Sequence, residues 1–146
     1  MFQMKKSRAT GQREINSEAP LLDKFFVYGT LKVGGHFSTR FDSVRKSNKK
    51  AIIIGFDLYD LGSFPAVTKG DGEVVGELHK YSDPKEALAH MDMIEGYNGD
   101  PDHDLYKRII IPVTIKGGEQ IDAWVYVFNN KIPNHAKKIV NGCWEI

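Results

Sequence analysis

Two short segments carry residue types able to do chemistry. The first is Tyr28-Gly29-Thr30-Leu31, which follows the aromatic and β-branched run Phe25-Phe26-Val27. A strand that breaks at glycine frees consecutive backbone N–H groups from the ladder, and the missing Cβ lets a ligand approach them closely. Such amides can cradle a carboxylate or a carbonyl oxygen. The same pattern also describes an ordinary strand end and turn. The second is Glu95, between Ile94 and Gly96-Tyr97 at the end of a helical pattern. A carboxylate there meets the negative end of the helix dipole, and neighbours such as Tyr97 would add desolvation. Both effects disfavour the charged form, and a carboxylate made more basic suits a general base near neutral pH. An exposed glutamate in a tolerated position is the competing reading.

Other constellations lead away from chemistry. In the stretch from Gly29 to His36, Gly34 has the spacing of a nucleotide-binding P-loop, but Gly35 and His36 stand where Lys and Ser/Thr are required. His36, His79, His90, His103 and His135 lack metal-ligand spacing. Asp100, Asp102 and Asp104 imitate the start of a calcium loop. However, Leu105 and Ile111 occupy the positions that need Gly and Glu, so a solvated acidic loop without metal is expected. Ser63 is not in a nucleophile elbow. Cys143, eight residues after His135, reads as a small apolar filler rather than a nucleophile. Arg40, Arg45, Lys46, Lys49 and Lys50 read as a solvated loop, with a phosphate patch or an interaction module as the alternative. Lys107 and Arg108 either line a pocket mouth or face solvent.

The elements that must position these residues are mostly strands. Phe25 to Tyr28 reads as a buried strand, and a second starts at Ala51 and reaches toward Tyr59. Gly62 to Pro65 is a turn, Gly70-Asp71-Gly72 reads as a hairpin connection, and Val74 to Tyr81 is a third strand. Asp83-Pro84-Lys85-Glu86 starts a helix. Asp83 caps it, Pro84 takes the first helical position, and Gly96 stops it. Ala87, Leu88, Met91 and Ile94 form its apolar face, and Met91 and Met93 are expected to pack. Tyr106 to Ile115 and Ile121 to Phe128 make a hairpin about the Lys116-Gly117-Gly118-Glu119 turn. Trp124, Tyr126 and Phe128 fall on one face of its second strand, Val125 and Val127 on the other. The residues from Asn129 onward read as irregular. The fold class is α+β, a largely antiparallel or mixed sheet curled around a core.

The chain has 146 residues, enough for one domain with its own core. Residues 1–22 read as a flexible or loosely docked tail and 23–146 as the domain. The 20 basic and 19 acidic residues give +1, which argues against nucleic-acid or anionic-membrane partners. No apolar run approaches the roughly 20 residues of a membrane span, and no signal-peptide pattern follows the first lysines. With a single cysteine, the expectation is a soluble cytoplasmic protein in a reducing compartment.

Phe26-Val27-Tyr28-Gly29-Thr30-Leu31-Lys32-Val33-Gly34 resembles the Tyr-Gly-Thr-Leu-Arg/Lys-x-Gly signature of the γ-glutamylcyclotransferase-like family. Further segments agree in order. Phe64-Pro65-Ala66-Val67 resembles the family's Phe/Tyr-Pro-x-Val loop, and Val75-Gly76-Glu77-Leu78 its Gly-Glu strand. Met91-Asp92-Met93-Ile94-Glu95-Gly96-Tyr97 resembles its helix end. Tyr106-Lys107-Arg108 and Ala123-Trp124-Val125-Tyr126-Val127 resemble two more of its strands, and Asn141-Gly142-Cys143-Trp144 faintly echoes its tail.

The resemblance implies a small mixed β-barrel with one main helix and short helices, a single pocket, and no metal or organic cofactor. It implies Glu95 as the catalytic acid/base, with Tyr28, Gly29, Thr30 and Leu31 cradling substrate. It adds Phe64, Pro65, Tyr106 and Tyr126 as substrate-binding residues. The implied partner is a small γ-glutamyl molecule, cyclised to 5-oxoproline with release of a free amine. The Thr30 signature and the short chain favour the γ-glutamylamine branch. Gly35-His36-Phe37 and Cys143 depart from the family's pattern and are expected to alter the pocket wall and the amine accepted. A non-catalytic binder of small molecules or peptide ends on the same scaffold is the alternative reading.

Overall fold

The continuous apolar runs Phe25–Val27 and Ala123–Phe128 are buried on both faces, which requires a sheet covered on each side, and ring closure supplies the inner one. A computed structural model describes residues 22–145; the expected tail, apart from Leu22, lies outside them. Its strands are β1 (Lys24–Val27), β2 (Arg45–Asp60), β3 (Pro65–Tyr81), β4 (Tyr106–Ile115), β5 (Gln120–Phe128) and the two-residue β6 (Lys137–Lys138). The helix α1 (Pro84–Glu95) lies between β3 and β4, and a single 3-10 turn spans Ser38–Phe41. The strand order β3-β1-β5-β4-β2 closes through a β2–β3 pairing, so five strands form a barrel, and β6 extends it at β2. The barrel is mixed because β1 runs parallel to β5, with Phe25 opposite Trp124. This is the small mixed β-barrel with one main helix that the sequence suggests.

Each strand sends alternate side chains to opposite faces. Phe26, Ile53, Val67, Val74, Val113 and Val125 belong to the cluster that draws on all five strands and fills the barrel. Phe25, Tyr81, Trp124, Tyr126 and Phe128 belong to a second cluster, which packs against Ala87, Leu88 and Met91 of α1. The predicted two faces of β5 are therefore the inside and outside of the barrel wall.

Local signals set the helix. The Asp83 carboxylate accepts from the Glu86 N–H at 3.1 Å, and Gly96 ends α1 with φ of 71°. Met91 is fully buried as expected, but Met93 points outward and is 76% exposed.

Three other expectations are corrected. Gly70-Asp71-Gly72 is not a hairpin connection but part of β3, which turns back from β2 at Leu61–Phe64. Opposite it, Ile54 pairs with Glu73 and Phe56 with Lys69, so the glycine stretch forms a bulge. The Gly72 N–H donates to the Asp57 carboxylate at 3.1 Å there. The basic segment 45–50 is not a loop; it is the first part of β2 and pairs with Glu77–Tyr81, its lysines at the surface. The loop around Asp100 is not uniformly solvated either. Asp104 is buried and accepts from the N–H groups of Asn98 (2.8 Å) and Asp100 (3.0 Å). Those amides hold its carboxyl below the usual carboxylate range.

Candidate active site

The end of β1, the end of α1, and the starts of β3 and β4 meet at one place. After Val27 the chain leaves the ladder and curls back on itself: Lys32 N–H donates to Gly29 O (3.0 Å) and Phe37 N–H to Thr30 O (2.9 Å). Among the described residues, the N–H groups of Gly29, Thr30 and Leu31 have no acceptor. They line a narrow cleft of about 40 Å³ together with Tyr28, Pro65, Glu95 and Tyr126. Gly29 is required by the close approach of Pro65, whose Cγ would lie 2.5 Å from a Cβ at position 29.

Glu95 is the last residue of α1 and lines this cleft. It is half-buried, and among the described residues nothing donates a hydrogen bond to its carboxyl group. Burial pushes that carboxyl up from 4.5 to about 7. Desolvation by burial, the second of the two effects expected from the sequence, is the cause of the rise. Tyr97 is not among the cleft residues; its ring lies 4.8 Å from the Arg108 guanidinium. The neighbours that surround the carboxyl are three tyrosines instead. Tyr28, Tyr106 and Tyr126 all have hydroxyls pushed upward, chiefly by burial and in part by the nearby Glu95 charge.

Each of these tyrosines spends its proton on the framework. Tyr28 donates to Tyr126 O (2.6 Å), Tyr106 to Pro65 O (2.8 Å) and Tyr126 to the Asp92 carboxylate (2.5 Å). A hydroxyl that donates elsewhere has only lone pairs left to offer a ligand. The site thus pairs unspent amide donors with a carboxylate and acceptor oxygens. It is suited to a ligand carrying both an oxygen acceptor and an ammonium group.

Thr30 and Glu95 also line a wider outer chamber of about 350 Å³, bounded by His36, Phe37, Phe64, Leu105 and Tyr106 among others. All nine residues singled out in the sequence therefore border one of two adjoining spaces. Tyr28, Gly29, Thr30, Leu31, Pro65, Glu95 and Tyr126 border the cleft, and Phe64 and Tyr106 the chamber. Of the two departures from the family's pattern, His36 and Phe37 do reach the chamber wall. Cys143 does not. It lines a separate surface pocket with Lys32, Gly76 and Glu77, its Sγ 3.9 Å from the Lys32 ammonium.

The supporting groups were less visible in the sequence. Asp92, one helical turn before Glu95, holds the Tyr126 hydroxyl and forms an ion pair with Arg108. The Arg108 guanidinium lies between the rings of Tyr97 (4.8 Å) and Trp124 (4.7 Å), so it neither faces solvent nor lines the pocket mouth. Glu77 Oε1 accepts from Val33 N–H (2.9 Å), pinning the loop beyond Leu31, and also meets His79 Nε2 (2.9 Å). His79 is fully buried, its Nδ1 bonded to the Tyr81 hydroxyl at 2.7 Å, and desolvation pushes it below its ordinary value. The signals for these partners were the i, i+3 spacing of Asp92 and Glu95 and the places of Glu77, Asp92 and Arg108 in the segments that resemble the family. Among the described residues, no group of His, Cys, Asp or Glu could hold a metal ion, and no helix is long and apolar enough to cross a membrane.

Comparison with known proteins follows the same line. The family model described as "Gamma-glutamyl cyclotransferase, AIG2-like" matches residues 25–146. A curated relative from Halalkalibacterium halodurans, named "Putative gamma-glutamylcyclotransferase BH1612", is 31% identical over 103 residues, covering 68% of this chain and 86% of the relative. Among solved structures, an AIG2-like protein from Mus musculus has a TM-score of 0.61 at 21% identity, covering 76% of this chain and 80% of the mouse chain. YtfP from Escherichia coli has a TM-score of 0.57 at 25% identity, covering 83% and 95%. A protein from Pyrococcus horikoshii has a TM-score of 0.60 at 23% identity, covering 84% and 89%.

Proposed function

Because this chain belongs to the gamma-glutamyl cyclotransferase, AIG2-like family and is an enzyme of it, we propose that it cyclises γ-glutamyl amines to 5-oxoproline and a free amine, with Glu95 as the acid/base. The substrate carries its own nucleophile, an α-amino group within reach of its γ-carbonyl. Holding the chain folded turns conformational freedom into effective concentration. Glu95 takes a proton from the α-ammonium, and the freed nitrogen attacks the γ-carbon. The carbonyl π electrons move to oxygen, where the amides of Gly29, Thr30 and Leu31 receive the developing charge. The oxyanion then collapses and the bond to the leaving nitrogen breaks. Glu95 returns its proton to that nitrogen and then takes the second proton of the ring nitrogen, which leaves with the amine, so the products are 5-oxoproline and the amine as its ammonium ion. The acceptor oxygens of Tyr106 and Tyr126 suit the α-ammonium before it loses its proton.

The observation that carries this reading is one unpartnered carboxyl of raised basicity sharing a cleft with three unspent amides. Its test is release of 5-oxoproline from a panel of γ-glutamyl amides, by the native protein and by Glu95→Gln. Turnover that disappears in the variant, with ligand binding kept, is the expected result. Equal turnover by the variant refutes the role of Glu95. Binding without turnover by the native protein turns the site into a small-molecule binder.

A further inference from the structure

The outer chamber has mainly apolar walls. Phe37, Phe64, Ile94, Leu105 and Tyr106 form most of its lining, around about 350 Å³. Besides Glu95, its polar lining is Thr30, His36 and Ser63, with no Lys, Arg or Asp. It joins the amide cleft at Thr30 and Glu95, the residues that border both spaces. A γ-glutamyl group with its reacting carbon beside Glu95 and its oxygen on the amides fills the narrow cleft. What remains of the substrate, the group on the departing nitrogen, has the chamber to extend into.

From this we infer that the leaving amine is apolar and carries no charge of its own: an alkylamine or arylalkylamine, not an amino acid or a dipeptide. The inference rests on the cyclotransferase reading of the cleft. A carboxylate on the leaving group would lie against Phe64, Ile94 and Tyr106 with no lysine or arginine in the lining to meet it. A second ammonium would find no carboxylate there except Glu95, which the α-amino group occupies. Methylene groups, in contrast, bind about fourfold more tightly for each one buried. The nearest cation on this loop, Arg40, stacks on the Phe37 ring at 4.9 Å and is not part of the lining. The half-exposed Leu105, at 41%, sits where a substitution can change the chamber's polarity without opening the core.

The test compares kcat/KM for four substrates with one acyl half: γ-glutamyl-n-butylamide, γ-glutamyl-benzylamide, γ-glutamyl-alanine and ε-(γ-glutamyl)lysine. The two apolar amides are expected to exceed the charged ones at least tenfold. Leu105→Arg is expected to shrink the butylamide-to-alanine ratio by about tenfold, and Arg40→Ala to leave it unchanged. Charged amides turned over as well as the apolar ones overturn the inference while leaving the cyclotransferase reading intact. Calorimetric binding of the same amides to Glu95→Gln, which leaves them uncleaved, reads the chamber independently of chemistry. Apolar amides bound about tenfold tighter, with no amide cleaved by the native protein, support the chamber's preference and overturn cyclisation. Equal affinity across the panel overturns the chamber's preference whatever the turnover.

Discussion

Replacing Glu95 by Gln removes a charge with almost no change of volume, so its effect on stability isolates the cost of burying that charge. The carboxyl is pushed up from 4.5 to about 7 by desolvation. Between those two pH values the native state holds the proton more tightly than the unfolded chain, so native stability falls as pH rises through that window. At about 1.36 kcal/mol per pH unit, the full loss is about 3 kcal/mol above pH 7 and vanishes below pH 4.5. The glutamine variant has no such loss. Its advantage over the native protein should therefore grow from near zero at pH 4 to as much as about 3 kcal/mol at pH 8.5. His79 works in the opposite direction: its depressed value makes both proteins lose stability as pH falls below the ordinary histidine range. That effect is common to the two proteins and cancels in their difference. Urea unfolding followed by tryptophan fluorescence at pH 4, 6 and 8.5 reads the quantity directly. With a slope of about 2 kcal/mol/M, the midpoints should separate by about 1.5 M at the highest pH. A difference that stays flat with pH refutes the argument, because the Glu95 carboxylate would then be as well solvated in the fold as in the open chain. The same substitution should abolish turnover, so stability gained and activity lost would come from one atom pair.

Three further outcomes follow from the same geometry. The kcat/KM for a good amide should rise with pH as Glu95 ionises, levelling above about 7, and a pH–rate profile on the native protein checks it. Gly29→Ala sets a Cβ 2.5 Å from the Pro65 ring and must displace the amide loop. Turnover should fall about 100-fold, measured as kcat/KM, with the thermal midpoint lowered by only a few degrees. Asp92→Asn leaves the Arg108 guanidinium without its counter-charge and loosens the Tyr126 hydroxyl. Because both side chains keep some exposure, the cost should be about 2 kcal/mol in denaturant unfolding, below the loss seen for fully buried pairs, and kcat should fall with it.

What the chain's sequence determined by itself was whatever acts over a few residues. Asp83, Pro84 and Gly96 bracket the helix, Gly117-Gly118 turn the last hairpin, and alternation along Gln120–Phe128 divides β5 into two faces. These depend on caps, turn dihedrals and side-chain period, which neighbours in sequence decide. The glycine break after Val27 and the glutamate at the helix end were legible for the same reason. The tertiary structure decided which ladders the ambiguous segments join. Segment 45–50 has lysines that read as loop, yet Glu77–Tyr81 offers it a partner strand. Gly70-Asp71-Gly72 reads as a turn, yet the long β2–β3 pairing runs through it as a bulge. The meeting of Glu95 with Gly29–Leu31, the three tyrosines turned toward the framework, and Arg108 held between two rings also belong to the tertiary level. They require closure of β3-β1-β5-β4-β2 into a ring. The longest of these contacts, Glu95 with Gly29–Leu31 and Tyr28 with Tyr126, join residues more than 60 positions apart, and no local preference can specify them.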